Sequence, residues 1–192
     1  MIIALAGRRI DAQDADPSRF PRRNRKKVRE ELNNLFKKRN AKALVCSAAC
    51  GADLLALEVA DELNLHYWIV LPSDPEEFRE KSVTDRGGNW GKIFDKIYQK
   101  AKTRGNVIEI GSTGENDEVY IETNNRILDE AASIATKLLD KTVSDSSERS
   151  IENYILVVIV WEGKSRGEDD ITANFAESGL ARGFEVTEVL TK

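Results

Sequence analysis

The sequence predicts a doubly wound α/β domain, a mostly parallel sheet with helices on both faces. Apolar runs at residues 2–6, 43–46, 65–71 and 154–161 are continuous rather than alternating, as in strands covered on both sides, and the last is rich in β-branched residues. Between them lie segments whose apolar residues recur at helical spacing. Strands alternating with helices build parallel units with right-handed crossovers, which puts binding sites beyond the carboxyl ends of the strands.

Composition narrows the class. The chain has 192 residues, 41% hydrophobic and 32% charged, which suits one domain over residues 1–192 with a sizeable core. A net charge of -4 supplies no global basic field for non-specific nucleic-acid binding. No apolar run approaches the ~20 residues that span a bilayer, so no membrane partner is expected. The short apolar start followed by Gly7-Arg8-Arg9 has the wrong order for a signal peptide and reads as a first strand. Two cysteines, Cys46 and Cys50, suggest buried thiols in a reducing cytoplasm; a metal site lacks ligands and no cofactor is expected.

Each element follows from its pattern. Residues 2–6 form a buried strand ended by Gly7, and the two-proline stretch 14–21 an ordered loop. Val28, Leu32, Leu35 and Phe36 share one face of a surface helix over 22–38, with basic residues around them. A strand at 43–46, a turn, and a helix over 53–63 come next. The strand at 65–71 is closed by Pro72. Residues 73–89 are too mixed for a regular core element, contain a short helix-like piece at 76–80, and suit a flap. A helix over 90–102, a short strand at 106–110, a polar loop at 111–116 and a long helix over 118–140 precede a serine-rich connection at 141–153, read as mobile. The strand at 154–161 leads through a glycine-punctuated loop into a helix over 172–182. Gly183 ends that helix, and 184–190 is a closing strand.

The corner Val45-Cys46-Ser47-Ala48-Ala49-Cys50-Gly51-Ala52-Asp53 organises the rest. Its small side chains would let a ligand approach the backbone, and the first N–H groups of the helix would face a phosphate or carboxylate. Asp53 either caps that helix, the favoured reading, or faces the ligand.

Several motifs, in order along the chain, carry a resemblance: Gly7-Arg8-Arg9-Ile10-Asp11, Arg19-Phe20-Pro21, Ser47 to Glu58, Leu71-Pro72, Phe78 to Gly87 with Trp90, and Trp161-Glu162-Gly163-Lys164 leading to Thr172-Ala173. Together they resemble the SLOG superfamily of Rossmann-like domains. That group takes its name from a DNA-processing protein and the Lonely Guy phosphoribohydrolases, and includes nucleotide sensors of bacterial defence and signalling proteins. The resemblance implies a pocket for a nucleotide-derived ligand, with Gly7 and Arg9 contributed by the first strand, Ser47, Gly51, Ala52 and Asp53 by the second corner, and Gly163, Asp170 and Thr172 by the third. Arg8 stands where signalling relatives carry a histidine, and Asp170-Ile171 where they carry a small pair. Arg8 and Arg9 either grip a phosphate or form exposed pairs with Asp11 or Asp14.

The function expected is therefore binding or sensing of a nucleotide or nucleotide-derived small molecule, with a second copy or an effector protein left open as partner. The alternative is a nucleotide N-glycosidase or phosphoribohydrolase. Against catalysis, the relatives that cleave glycosidic bonds carry a glutamate just after the loop threonine, whereas Thr172 is followed by Ala173, Asn174, Phe175 and Ala176. Glu58 could serve in principle, but an acidic residue on a helix face is more often solvated or paired. His66 starts a strand, away from the expected pocket. DNA binding is the least favoured reading: the basic run Arg19, Arg22, Arg23, Arg25, Lys26, Lys27 and Arg29 has no interleaved aromatics for base stacking.

Overall fold

A computed structural model describes residues 1–112, 117–142, 150–167 and 169–192. Its strands are β1 (Ile2–Gly7), β2 (Ala43–Cys46), β3 (His66–Leu71), β4 (Val107–Glu109), β5 (Ile155–Trp161) and β6 (Glu185–Leu190). They form one sheet in the order β4-β3-β2-β1-β5-β6, and every pairing is parallel. The helices are α1 (Arg25–Lys38), α2 (Ala52–Glu62), α3 (Pro75–Arg79), α4 (Trp90–Thr103), α5 (Asp117–Thr142) and α6 (Ile171–Ala181).

The continuous apolar runs serve two cores, because successive side chains of a strand point to opposite faces. Ile3, Leu5, Leu44 and Cys46 pack with Val28, Leu32 and Phe36 of α1, Leu54 and Leu57 of α2, and Ile93 and Ile97 of α4. Ile2, Ala4, Ala43 and Val45 pack on the other face with Ile127, Leu128 and Ala131 of α5 and Phe175 of α6. β5 is buried from Ile155 to Val160 and feeds both layers. From β1 the chain builds outward through β2 and β3 to β4, then returns to place β5 on β1's other side. The strand order therefore reverses between β1 and β5, the position where open α/β sheets leave a crevice.

Several boundaries differ from the sequence pattern. Arg22–Asn24 is a 3-10 turn, so α1 starts three residues later than the basic periodic stretch. The irregular 73–89 segment contains α3, capped by Asp74, whose carboxylate accepts from the N–H groups of Glu76 and Glu77. It continues into a π-helical turn, Glu80–Thr84, that buries Ser82 and Val83. The expected connection at 141–153 is partly regular, since α5 runs to Thr142 and Ile151–Tyr154 is a 3-10 turn; residues 143–149 lie outside the described residues. Residues 113–116 of the expected polar loop also lie outside them. Among the described residues no helix is long and apolar enough to cross a membrane.

Candidate ligand-binding site

The small-residue corner between β2 and α2 is closed by the protein's own backbone. Leaving β1, residues 8–10 run against the turn: Ala52 N–H donates to Arg8 O (3.1 Å), Ile10 N–H donates to Cys50 O (3.0 Å), and Arg9 and Gly51 form an antiparallel bridge. Gly51 has φ +114°, and a Cβ there would lie 2.5 Å from Ile10 N and 2.7 Å from Arg8 O. Glycine at this position thus admits the β1 exit rather than a ligand. Leu54 N–H donates to Ala49 O and Cys50 N–H to Ser82 O. The expected cradle of free N–H groups at the start of α2 is largely consumed in this way.

Asp53 is not the cap expected of it. Gly51 occupies the N-cap position and no side chain caps α2. Asp53 lies one residue inside the helix and folds back, its Oδ2 accepting from Ala49 N–H (3.2 Å). Its Oδ1 is buried without a hydrogen-bond partner among the described residues, and the residue is only 7% exposed. Burial pushes its carboxyl up to about 7, opposed by the Ala49 bond and the charge of Arg9.

The two arginines after β1 differ in circumstance, and neither takes the exposed pairing with Asp11 or Asp14 that the sequence left open. Arg8 is buried and held by carboxylates on both sides: Nε donates to Glu162 (2.6 Å), while Nη1 and Nη2 donate to the two oxygens of Asp170 (2.6 and 2.7 Å). Asp170 also accepts from Thr172 N–H (3.0 Å) and Ala173 N–H (3.3 Å), so it caps α6, and from Arg166 N–H (2.8 Å). Burial opposes its charge, but Arg8 and the N–H donors outweigh that and hold the carboxyl far below the usual range. The departure Asp170-Ile171 is thus a cap and an ion-pair partner. Arg9 points the other way, donating to Asp85 and weakly to Cys50 Sγ (3.7 Å), and its Nε is buried without a partner among the described residues. Asp85 is shared with Arg86 (3.2 Å).

Beyond the carboxyl ends of β1 and β2 opens a cleft of about 520 Å³. It gathers Gly7, Arg8, Arg9, Ser47, Asp53 and Thr172 of the expected residues, whereas Gly51, Ala52, Gly163 and Asp170 lie outside its lining. Two groups stand out among the residues that sequence reasoning missed. Tyr120, Thr123, Asn124 and Ile127 line it from α5, and Phe78, Ser82 and Arg86 from α3 and the segment after it. The break of the apolar stripe by Tyr120, Thr123 and Asn124 near the start of α5 was the available signal. Asp11 anchors the loop over the cleft's mouth, accepting from Ser18 Oγ (2.6 Å), Arg19 N–H (3.0 Å) and Phe20 N–H (2.9 Å).

The other candidates sit elsewhere. Glu58 pairs with Arg25 (3.4 Å) outside the cleft lining, and His66 is exposed at the opposite end of β3. Phe175 of α6 is buried in the core with Ile127, Leu128 and Ala131 of α5. Cys46 and Cys50 are free, buried thiols. The basic run is largely paired within the chain: Arg19 with Glu162, Arg25 with Glu58, Lys26 with Glu30, Lys27 with Glu31 and Arg29 with Glu62, while Arg22 donates to Arg86 O. Among the described residues no group of His, Cys, Asp and Glu side chains is placed to hold a metal ion.

An all-parallel sheet in this order, with its cleft at the strand-order reversal, defines a Rossmann-like α/β domain. No family model matches the chain, and no curated protein does. Among solved structures it is similar to DNA processing protein A from Streptococcus pneumoniae, with 16% identity and a TM-score of 0.49 over 95% of this chain and 52% of that one. The chain thus spans about half the length of that protein.

Proposed function

We propose that the cleft binds a nucleotide or nucleotide-derived small molecule, and that the protein acts as a sensor or carrier rather than a hydrolase. One observation carries the reading: the cleft at the strand-order reversal is lined by Asp53 and Arg9, each of which keeps a buried polar atom, Asp53 Oδ1 and Arg9 Nε, with no hydrogen-bond partner among the described residues. Buried polar groups are nearly always satisfied, so an unpaired acceptor and donor in one cleft suit a polar ligand. Apolar surface from Ile10, Phe78 and Ile127 suits a base or sugar face, and the motif order shared with the SLOG superfamily points the same way. Because the N–H groups opening α2 and α6 are occupied within the chain, phosphate recognition falls to Arg9 and Arg86 at the cleft wall. Nucleic acid is not the expected partner, given the internal pairing of the basic run. A second copy or an effector protein would transmit the binding event.

The test is a thermal-shift panel of nucleoside mono- and diphosphates and dinucleotides. A ligand at a hundredfold excess over its Kd stabilises by about 2.7 kcal/mol, or roughly 5–10 °C for a chain of this size. If no nucleotide raises Tm, the reading fails. Chromatography of the same mixtures is expected to find no released base; turnover abolished by Asp53→Asn would make Asp53 a catalyst and favour the glycosidase alternative.

A further inference from the structure

The cleft has two walls of different chemistry, and they rise from opposite faces of the sheet. Phe78 and Val83, on the stretch that carries Ser82 and Arg86, pack in the layer of α1, α2 and α4, whereas Ile127 of α5 packs in the layer of α6. The first wall brings the cation of Arg86, joined by Arg9 from the β1 exit. The α5 wall contributes Asp117, Tyr120, Thr123, Asn124 and Ile127, and no cation. A phosphate is therefore drawn toward Arg9 and Arg86, and the base, on the other side of the sugar, toward α5.

Tyr120, Thr123, Asn124 and Ile127 recur at helical spacing, so they share one face of α5. Along that face the side chains climb out of the core: Ile127 is 1% exposed, Thr123 3% and Tyr120 37%. Asn124 ties the wall to the start of α6, its Nδ2 donating to Ile171 O (3.1 Å). Among the described residues the other exposed large apolar side chains, Leu138, Leu180 and Leu190, are aliphatic and lie outside the cleft lining. Phe78, the second aromatic of the lining, is buried, with its ring beside Phe94 (6.2 Å between centroids). Among the described residues the cleft thus has one exposed aromatic ring, on the wall without cations, and that ring stacks on no other. A flat π-surface there suits the face of a base.

We propose that Tyr120 is the base-stacking residue of the cleft, lying against the face of a purine while the phosphate meets Arg9 and Arg86. Purine nucleotides then bind ahead of pyrimidine nucleotides, because the fused rings cover more of the tyrosine ring. This rests on the nucleotide reading above and adds to it the orientation of the ligand and the class of base.

The test is calorimetric titration of the full chain with AMP, GMP, CMP and UMP, together with displacement of AMP by ribose 5-phosphate, which keeps the sugar and phosphate but has no base. AMP and GMP are expected to bind more tightly than CMP and UMP. Tyr120→Ala is expected to weaken AMP by roughly tenfold or more and to leave ribose 5-phosphate unchanged, while Tyr120→Phe, which keeps the ring, stays within about threefold of wild type. A merely structural role would weaken both ligands together. Undiminished AMP binding by Tyr120→Ala, a loss shared by ribose 5-phosphate, or pyrimidines bound as tightly as purines overturns the proposal while leaving nucleotide binding intact. Failure of all four nucleotides to bind wild type overturns it too and, with a flat thermal-shift panel, overturns the nucleotide reading as well. The ranking of the four nucleotides on wild type needs no variant, so it decides even if Tyr120→Ala folds poorly.

Discussion

Replacing Asp53 by Asn should stabilise the protein, and the gain should grow with pH. In the folded chain burial raises this carboxyl from 3.8 to about 7, a little over three units, which at 1.36 kcal/mol per unit amounts to about 4 kcal/mol. The sign follows from proton counting. Between about pH 4 and pH 7 the folded state holds a proton that the unfolded chain has released, so stability is lost as pH rises through that window and levels off above it. Asparagine stays neutral throughout and keeps an oxygen for Ala49 N–H. The advantage of Asp53→Asn over wild type should therefore widen by roughly 2 to 3 kcal/mol between pH 5 and pH 8. Urea unfolding of both proteins at half-unit pH steps measures this, since all other titrations cancel in the difference. Two curves that run parallel from pH 5 to pH 8 would refute a buried carboxyl with a raised pKa.

Three further outcomes follow from the geometry. Gly51→Ala is expected to destabilise by at least about 2 kcal/mol in urea unfolding, because the left-handed φ and the backbone at 2.5 Å leave no room for a Cβ; a neutral result would show that the corner can move. Asp170→Ala strands the buried Arg8 and uncaps α6, and should lose at least about 3 kcal/mol by the same measurement, where a loss under 1 kcal/mol would mean that Glu162 alone suffices for Arg8. In gel shifts at near-physiological salt, single- and double-stranded DNA should not bind tightly; submicromolar binding lost on changing Arg22, Arg23 and Lys26 to Glu would revive the DNA-binding reading.

The sheet was legible because its strands advertise themselves. Runs such as Ile155 to Val160 are apolar on both faces only when helices cover both, and that dictates parallel topology before any contact is known. The loop ends were legible as a neighbourhood, with Gly7, Arg9, Ser47, Asp53 and Thr172 meeting in one cleft. What each residue does there was not. A Ser-Ala-Ala-Cys-Gly turn looks the same in sequence whether a ligand or the chain's own backbone comes close to Gly51, and only the path of residues 8–10 decides it. Asp170 beside Ile171 gave no sign of the 162-residue separation it spans to reach Arg8. The contributions of Tyr120 and Asn124 depend on how α5 crosses the sheet, which periodicity within the helix does not specify.

Co-crystallisation with the nucleotide giving the largest thermal shift tests the binding site most directly. The ligand should lie in the cleft at the β1–β5 reversal, against Asp53, with its phosphate at Arg9 and Arg86. A nucleotide seated outside that cleft would contradict the account.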